Sequence, residues 1–368
     1  MLVREIALTN FRNIENERVS FCEGVNVLFG DNAEGKTNLL EAIYLMSIGK
    51  SFRGQHAQEL VRFGEREAAI SLTYHGMGRE QSLSLKIASS RFQSVEKNRV
   101  RLRKMSEMVG SLRAVLFSPE HLSLVKDGPA ERRSFLDIAI SAQEPLYLAA
   151  LQRYGRVLKQ RNALIRTAEQ DRHLFESTVD IWSSQLASEA AYIAKSRSRY
   201  IKRAEEHVKR CFLDMTGERE TPALQYLGIG GKELTDYEDE AAIRAHLYRR
   251  LCENHERELG AGVTLYGIHK DDMEVTLNDR SARSFCSQGQ QRSLALALKI
   301  AEGEICLEEC GEYPVLLLDD VLSELDRGRR EYLLQHIKGK QVIITTCEKE
   351  GMLAENRILV KNGTYRQE

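Results

Sequence analysis

Only five prolines and one tryptophan occur among 368 residues, and the 25 glycines are close to average usage. That leaves no room for a proline-rich linker, a collagen-like repeat or a low-complexity tract. No window comes near the roughly 18 continuous apolar residues of a membrane span, and the opening Met1-Leu2-Val3-Arg4-Glu5-Ile6 has no basic segment followed by an apolar one. The expectation is a soluble, cytoplasmic protein. Net charge is scarce too: 53 Lys+Arg against 54 Asp+Glu give −1, which excludes a polycation or an acidic-tail protein. The cysteines (Cys22, Cys211, Cys252, Cys286, Cys306, Cys310, Cys347) are odd in number and mostly far apart, unlike a disulfide framework. Cys306 and Cys310 are spaced to share a helix face, but no second close pair or neighbouring histidine completes a tetrahedral metal site there.

At roughly 150 residues per domain the length fits two domains, and the 42% of apolar residues fill at least one sizeable core. Period-two alternation (Ile6, Leu8; then Val25, Val27, Phe29) predicts antiparallel strands entering a loop, after which Leu39, Leu40, Ile43, Tyr44 and Met46 take up helical spacing. Further alternation at 69–74 and 83–87 predicts more strands of the same sheet. From about 130 to 213 apolar residues fall three and four apart (Tyr147, Leu151, Tyr154, Leu158; then Phe175, Val179, Trp182, Leu186), which predicts two long amphipathic helices joined near Ala168 to Arg172. They read equally as a plain bundle or as an arm reaching toward a partner. Strand character returns at Val263 to Tyr266 and Met273 to Leu277, a glycine-containing loop opens a helix at Ser293, and Val315 to Leu318 and Val342 to Ile344 have the length of buried strands.

Gly30-Asp31-Asn32-Ala33-Glu34-Gly35-Lys36-Thr37 fits G-x-x-x-x-G-K-[ST] between a strand and a helix. In such a loop backbone N–H groups point at phosphate oxygens, the helix N-terminus adds positive potential, Lys36 reaches the β- and γ-oxygens, and the Thr37 hydroxyl is placed to ligate Mg²⁺. A glycine turn with an exposed lysine is the bland alternative. Val315 to Leu318 ends in Asp319-Asp320, at the strand edge where open α/β sheets bind ligands. Asp319 is the candidate for Mg²⁺ and Asp320 for orienting an attacking water, with Lys36 completing the catalytic set. Ser287-Gln288-Gly289-Gln290-Gln291 opens another helix and so offers a second anion site.

Together these motifs resemble the ATP-binding-cassette class, with Gly30 to Thr37 as Walker A, Ser287 to Gln291 as signature, Val315 to Asp320 as Walker B and Ser323-Glu324-Leu325-Asp326 as D-loop. Leu8 to Asn13, Ser51-Phe52-Arg53, Phe117 to Glu120 and Arg132 to Asp137 extend the match over nearly the whole chain, and within the class it is similar to the RecF family of SMC-like DNA-repair ATPases. The resemblance implies an α/β ATPase head of mixed sheet and flanking helices (1–115 and 262–368), interrupted by a mainly helical, arm-like domain (116–261). It implies Mg²⁺ and ATP held by Gly30 to Thr37, with Arg12 or Asn13 near the nucleotide. It further implies a homodimer in which Ser287 and Gly289 of one copy contact the nucleotide of the other, and work with RecO and RecR mediators in loading recombinase onto gapped DNA. Four departures are visible. Ala33 stands where a glycine is common and requires a negative φ. Thr345-Thr346 occupies the region where transporters of this class usually carry a histidine after the last core strand, no glutamine lies near Ser118, and Asp320 is one methylene short of the usual glutamate. They predict slow hydrolysis, a switch more than a motor. A chromosome-structural SMC-like protein would need a far longer coiled coil, and a transport ATPase subunit a membrane partner.

Local charge adds to this. Residues 79–113 carry Arg79, Lys86, Arg91, Lys97, Arg99, Arg101, Arg103, Lys104 and Arg113 against Glu80, Glu96 and Glu107, and 189–210 carry a second cationic run including Lys195, Arg197, Arg199, Lys202, Lys209 and Arg210; Lys232 to Glu258 is net acidic. With no stacking aromatics interleaved, DNA contacts are expected to be to backbone and weakly sequence-dependent.

Overall fold

The N-terminal alternation becomes β1 (Leu2–Phe11) and β2 (Ile14–Ser20), and the next apolar run becomes β3 (Val25–Phe29), leading through a loop into α1 (Lys36–Ile48). β4 (Glu67–Gly76), β5 (Arg79–Ala88), β6 (Arg91–Lys97), β7 (Val100–Arg101) and β8 (Ala114–Phe117) follow. Then come α2 (Pro129–Ser141), α3 (Pro145–Thr167), α4 (Arg172–Thr216), β9 (Pro222–Leu227), α5 (Glu240–Glu253) and α6 (His255–Ala261). β10 (Asp272–Leu277), β11 (Arg280–Ser281), α7 (Ala282–Phe285), α8 (Gln288–Cys310), β12 (Val315–Asp319), α9 (Arg327–His336), β13 (Val342–Thr346), β14 (Asn356–Lys361) and β15 (Thr364–Gln367) complete the order. This computed structural model describes residues 1–54, 56–88, 91–217, 220–228, 236–347 and 354–368; the start of the acidic stretch, 232–235, lies outside them.

The chain divides into two units, Met1–Ser123 with Asp214–Thr216 and Ala295–Glu368, and Leu124–Leu213 with Gly217–Leu294. The first holds two six-stranded sheets. One is antiparallel in the order β2-β1-β4-β5-β6-β7; the other runs β15-β14-β3-β13-β12-β8, parallel throughout except for β15. β3 was expected beside β1, and it pairs instead with β13 and β14. Its residues explain this: Asn26 to Phe29 are all buried, the pattern of a strand covered on both faces, whereas β1 and β4 alternate. α1 buries ten of its 13 residues, so both its faces are covered, and one apolar core unites Leu39, Ile43 and Met46 with residues of both sheets. Truncating any one of these to alanine costs about 2–5 kcal/mol.

The second unit differs from the expected 116–261 insertion by starting at Leu124, by leaving Asp214–Thr216 to the first unit and, most of all, by including 262–294. The cause is pairing: β10 lies between β9 and β11, and Asp272 at its start accepts two hydrogen bonds from Arg132 of α2, at 2.7 and 2.8 Å. The predicted hairpin forms, with Asp171 capping α4 by accepting from the Leu174 N–H at 2.8 Å. Its helices run antiparallel, as the pairs Glu144–Tyr192, Arg153–Glu189 and Arg161–Ser183 show. Val263 to Tyr266 is not the expected strand. Its N–H groups go to side chains instead, Thr264 to Asn162 Oδ1 and Leu265 to Glu258 Oε1, each at 2.8 Å, which leaves no ladder to join. Among the described residues no helix is long and apolar enough to cross a membrane.

Candidate functional site

The phosphate loop follows from β3, whose last residue Phe29 delivers Gly30 at φ +149, a conformation open only to glycine; a Cβ there would lie 2.3 Å from the Val360 carbonyl oxygen. Gly35, at φ +115, is the residue before α1, and that helix has neither a side-chain cap nor an acidic residue in its first turn. Its leading N–H groups are thus left for an external anion. Ala33 sits at φ +67, against the negative value its methyl requires. The loop therefore holds an L-residue in the left-handed region, a strain of about 1–2 kcal/mol.

The loop's own chain supplies its braces. Lys36 Nζ donates to the carbonyls of Gly30 at 2.6 Å and Asp31 at 2.8 Å and lies 3.5 Å from Cys347 Sγ, while that thiol donates to Asn32 Oδ1 at 2.9 Å. Glu34 O accepts from the Gly363 N–H at 2.8 Å and from Asn13 Nδ2 at 3.3 Å, and Tyr365 donates to Gly35 O at 2.8 Å. Of the two N-terminal candidates, Asn13 touches the loop and continues through Asn38 to Arg53, at 2.7 and 2.8 Å. Arg12 is engaged one layer away: it forks onto the fully buried Glu41 at 2.9 and 2.6 Å, where Ser51 also donates. The sequence assigned no site role to Glu41, Tyr365 or Thr345. Glu41 left a signal as the lone acid of α1, and Thr345 stood out only as lacking a histidine.

Asp319 closes the site. β13 lies between β3 and β12, and its register sets Thr345 opposite Asp319. Asp319 Oδ1 accepts from both Thr37 Oγ1 and Thr345 Oγ1 at 2.8 Å, and Thr345 Oγ1 in turn accepts the Asp320 N–H at 2.9 Å. Burial raises the Asp319 pKa, opposed by those two hydroxyls and by the nearby Arg53 charge, while Glu120 adds to the rise. A largely buried carboxylate touching the Thr37 hydroxyl is a donor pair suited to a hard divalent cation. Asp320 is exposed beyond the strand end at φ +48.

The signature segment lies in the second unit. Its helix, α8, begins at Gln288, five residues before the expected Ser293, because Ser287 and Gln290 form a reciprocal capping box. Ser287 Oγ accepts the Gln290 N–H at 3.2 Å and Gln290 Oε1 accepts the Ser287 N–H at 2.8 Å, with Gly289 in the first turn. Of the first basic run, all but Lys97 and Arg113 are exposed, on or beside β5, β6 and β7. The second run is largely consumed: Arg197 is buried against Asp137 and Asp271, and Arg199, Lys202 and Lys209 pair with Glu144, Glu238 and Glu205.

A family model described as the RecF/RecN/SMC N terminal domain matches residues 2–367. The chain is 36% identical over 368 residues to the DNA replication and repair protein RecF of Thermoanaerobacter sp. (strain X514), covering 100% of both. It is 38% identical over 353 residues to that of Shouchella clausii (strain KSM-K16), covering 96% of this chain and 94% of the relative. A solved structure of the recombination mediator protein RecF-ATPrS in the RecFOR pathway has a TM-score of 0.94 at 34% identity, covering 99% of this chain and 97% of that one. The Smc head domain of Pyrococcus furiosus, at 17% identity and a TM-score of 0.58 over 100% and 96% of the two chains, shares the fold.

Proposed function

This chain belongs to the RecF family of SMC-like ATPases, and from that premise we propose that it is an ATP-gated DNA-binding protein of recombinational repair. The observation that carries the reading is the 2.8 Å contact of Thr37 with Asp319, which joins the phosphate loop to the strand-end carboxylate. Gly30 to Gly35 cradle the phosphates with backbone N–H groups, and Lys36 turns from its loop carbonyls to the β- and γ-oxygens. Thr37 and Asp319 would hold Mg²⁺, which when bound supplies charge neutralisation across the β- and γ-phosphates. Asp320 orients the attacking water from an exposed position with a short side chain, so hydrolysis is slow and serves as a release step.

The signature helix completes the site from a second copy. In the capping box Ser287 spends a lone pair on Gln290, and its hydroxyl proton is the part a γ-phosphate oxygen accepts. Nucleotide therefore acts as interface glue between two chains, and the closed homodimer binds DNA backbone through the exposed arginines of 79–104, assisting mediators of the RecO and RecR type. The test is Ser287→Asp, since aspartate caps a helix as well as serine but sets a carboxylate against the phosphate. Light scattering should show ATP-dependent doubling of mass in the wild type and none in the variant, with helix content unchanged. Equal doubling in both would overturn the shared-nucleotide reading.

A further inference from the structure

Cys306 and Cys310 are the pair that the sequence spacing singled out. The fold assembles a different set. Cys252 and His255 stand three residues apart across the junction of α5 and α6, and Asp180 of α4 meets them from 72 residues away. One ligand atom of each lies within 4.8 Å of the other two. We propose that Asp180, Cys252 and His255 form a zinc-class metal site in the helical unit.

Geometry supports it. Tetrahedral zinc with bonds of about 2.3 Å to sulfur and about 2.1 Å to nitrogen and oxygen has an S···O edge of about 3.6 Å and an N···O edge of about 3.4 Å. Cys252 Sγ is 3.6 Å from Asp180 Oδ1, and His255 Nε2 is 3.9 Å from the same oxygen. The first distance, held by an S–H···O hydrogen bond from Cys252 to Asp180, already matches the edge, and the second closes by a small rotation of the exposed Asp180 side chain. Among the described residues His255 Nε2 is buried without a hydrogen-bond partner, a rare condition that a bond to metal relieves. Phe175 holds the imidazole edge-on, centroid to centroid 5.8 Å, so the ring is already oriented.

The histidine is ready to bind, whereas the cysteine must first give up its proton. Burial, then the charge of Arg161, keeps the His255 pKa below its usual value, so the ring is neutral and has a lone pair to give. Burial raises the Cys252 pKa despite a hydrogen bond with Tyr248, so it enters as a thiol. Binding then proceeds as Cys–SH plus M²⁺ giving Cys–S–M⁺ plus H⁺, and the Asp180 carboxylate brings the site to neutrality. Arg161 does not oppose this strongly, since its guanidinium is paired with Glu258 at 2.6 Å. A mixed sulfur, nitrogen and oxygen set selects zinc-like ions over Mg²⁺ or Ca²⁺, and three protein ligands leave a fourth position for water. The bound ion would pin α4 to the α5–α6 junction.

The experiment titrates the purified full chain with Co²⁺, reading the thiolate charge-transfer band and the intense visible bands of tetrahedral cobalt, then displaces it with Zn²⁺. One equivalent should bind with release of one proton. Cys252→Ser should abolish the thiolate band, and Asp180→Asn, at an exposed position that leaves folding intact, should weaken binding more than tenfold. Cys306→Ser should change neither. A wild type that binds no Co²⁺, a band that survives in Cys252→Ser, or one that follows Cys306 would overturn the proposal.

Discussion

Thr345→Val removes one hydroxyl and almost no volume, and it tests how the strand-end acid is held. Thr345 is 1% exposed and donates to Asp319 Oδ1 at 2.8 Å while accepting the Asp320 N–H at 2.9 Å. Loss of a hydrogen bond to a charged group costs about 1.5–3 kcal/mol, and the orphaned N–H adds about 1 kcal/mol, so the variant should be less stable by about 2–4 kcal/mol at neutral pH. The cost should depend on pH. Burial raises the Asp319 pKa above the ordinary 3.8, so the folded form takes up a proton more readily than the unfolded one. The associated stability is fully present below 3.8 and is lost as pH rises through the folded value. Removing a donor to the carboxylate raises that folded value further and widens the window. Urea denaturation of wild type and Thr345→Val across a pH series should therefore show a gap that is largest at neutral pH and narrows toward pH 4, as the protonated acid ceases to need the hydroxyl. Thr345→Ser should restore most of the loss. A gap that is constant with pH, or one below about 0.5 kcal/mol, is incompatible with Thr345 as a support for ionised Asp319.

Ala33→Gly should stabilise the first unit by about 0.5–1 kcal/mol, because relief of a positive φ exceeds glycine's extra chain entropy; a lowered denaturation midpoint would contradict the strain seen at φ +67. Arg197→Met leaves Asp271 buried without its cation, which costs about 3–5 kcal/mol. Burial already pushes the Asp271 pKa up to about 7, and the variant raises it further, so the loss should be greater at pH 8 than at pH 5 by chemical denaturation. Charge reversal of Arg99, Arg101 and Arg103 to glutamate should lower the slope of log affinity for duplex DNA against log salt by about 3 in magnitude; an unchanged slope would move DNA off the β6–β7 edge.

What was legible in the sequence was whatever is local. The strand, loop and helix around Lys36, the apolar strand ending in Asp319 and the hairpin capped by Asp171 each lie within a few residues of their own signals. The signature helix was legible in kind but not in start, since Ser287 and Gln290 satisfy a capping box that reads equally well as an open loop. β3 was placed in the wrong sheet because Val25, Val27 and Phe29 alternate in sequence while Asn26 to Phe29 are all buried in the fold, and only pairing with β13, more than 300 residues away in sequence, decides between sheets. Val263 to Tyr266 has strand-like residues, yet Asn162 and Glu258 claim its backbone donors.

Thr345 shows most directly why the remainder was hidden. In sequence it registers as the absence of a histidine. In the sheet it is the residue that the parallel register of β13 sets against Asp319, and its single oxygen serves a carboxylate and a backbone N–H at once. A hydroxyl has no titratable proton to lend at neutral pH, whereas an imidazole does, so Thr345 is able to position the acid but not to move protons for it. A site built this way fixes its acids firmly and assists the leaving proton poorly. On the proposed ATP-binding reading, this leads to the same expectation of slow turnover as the short side chain of Asp320.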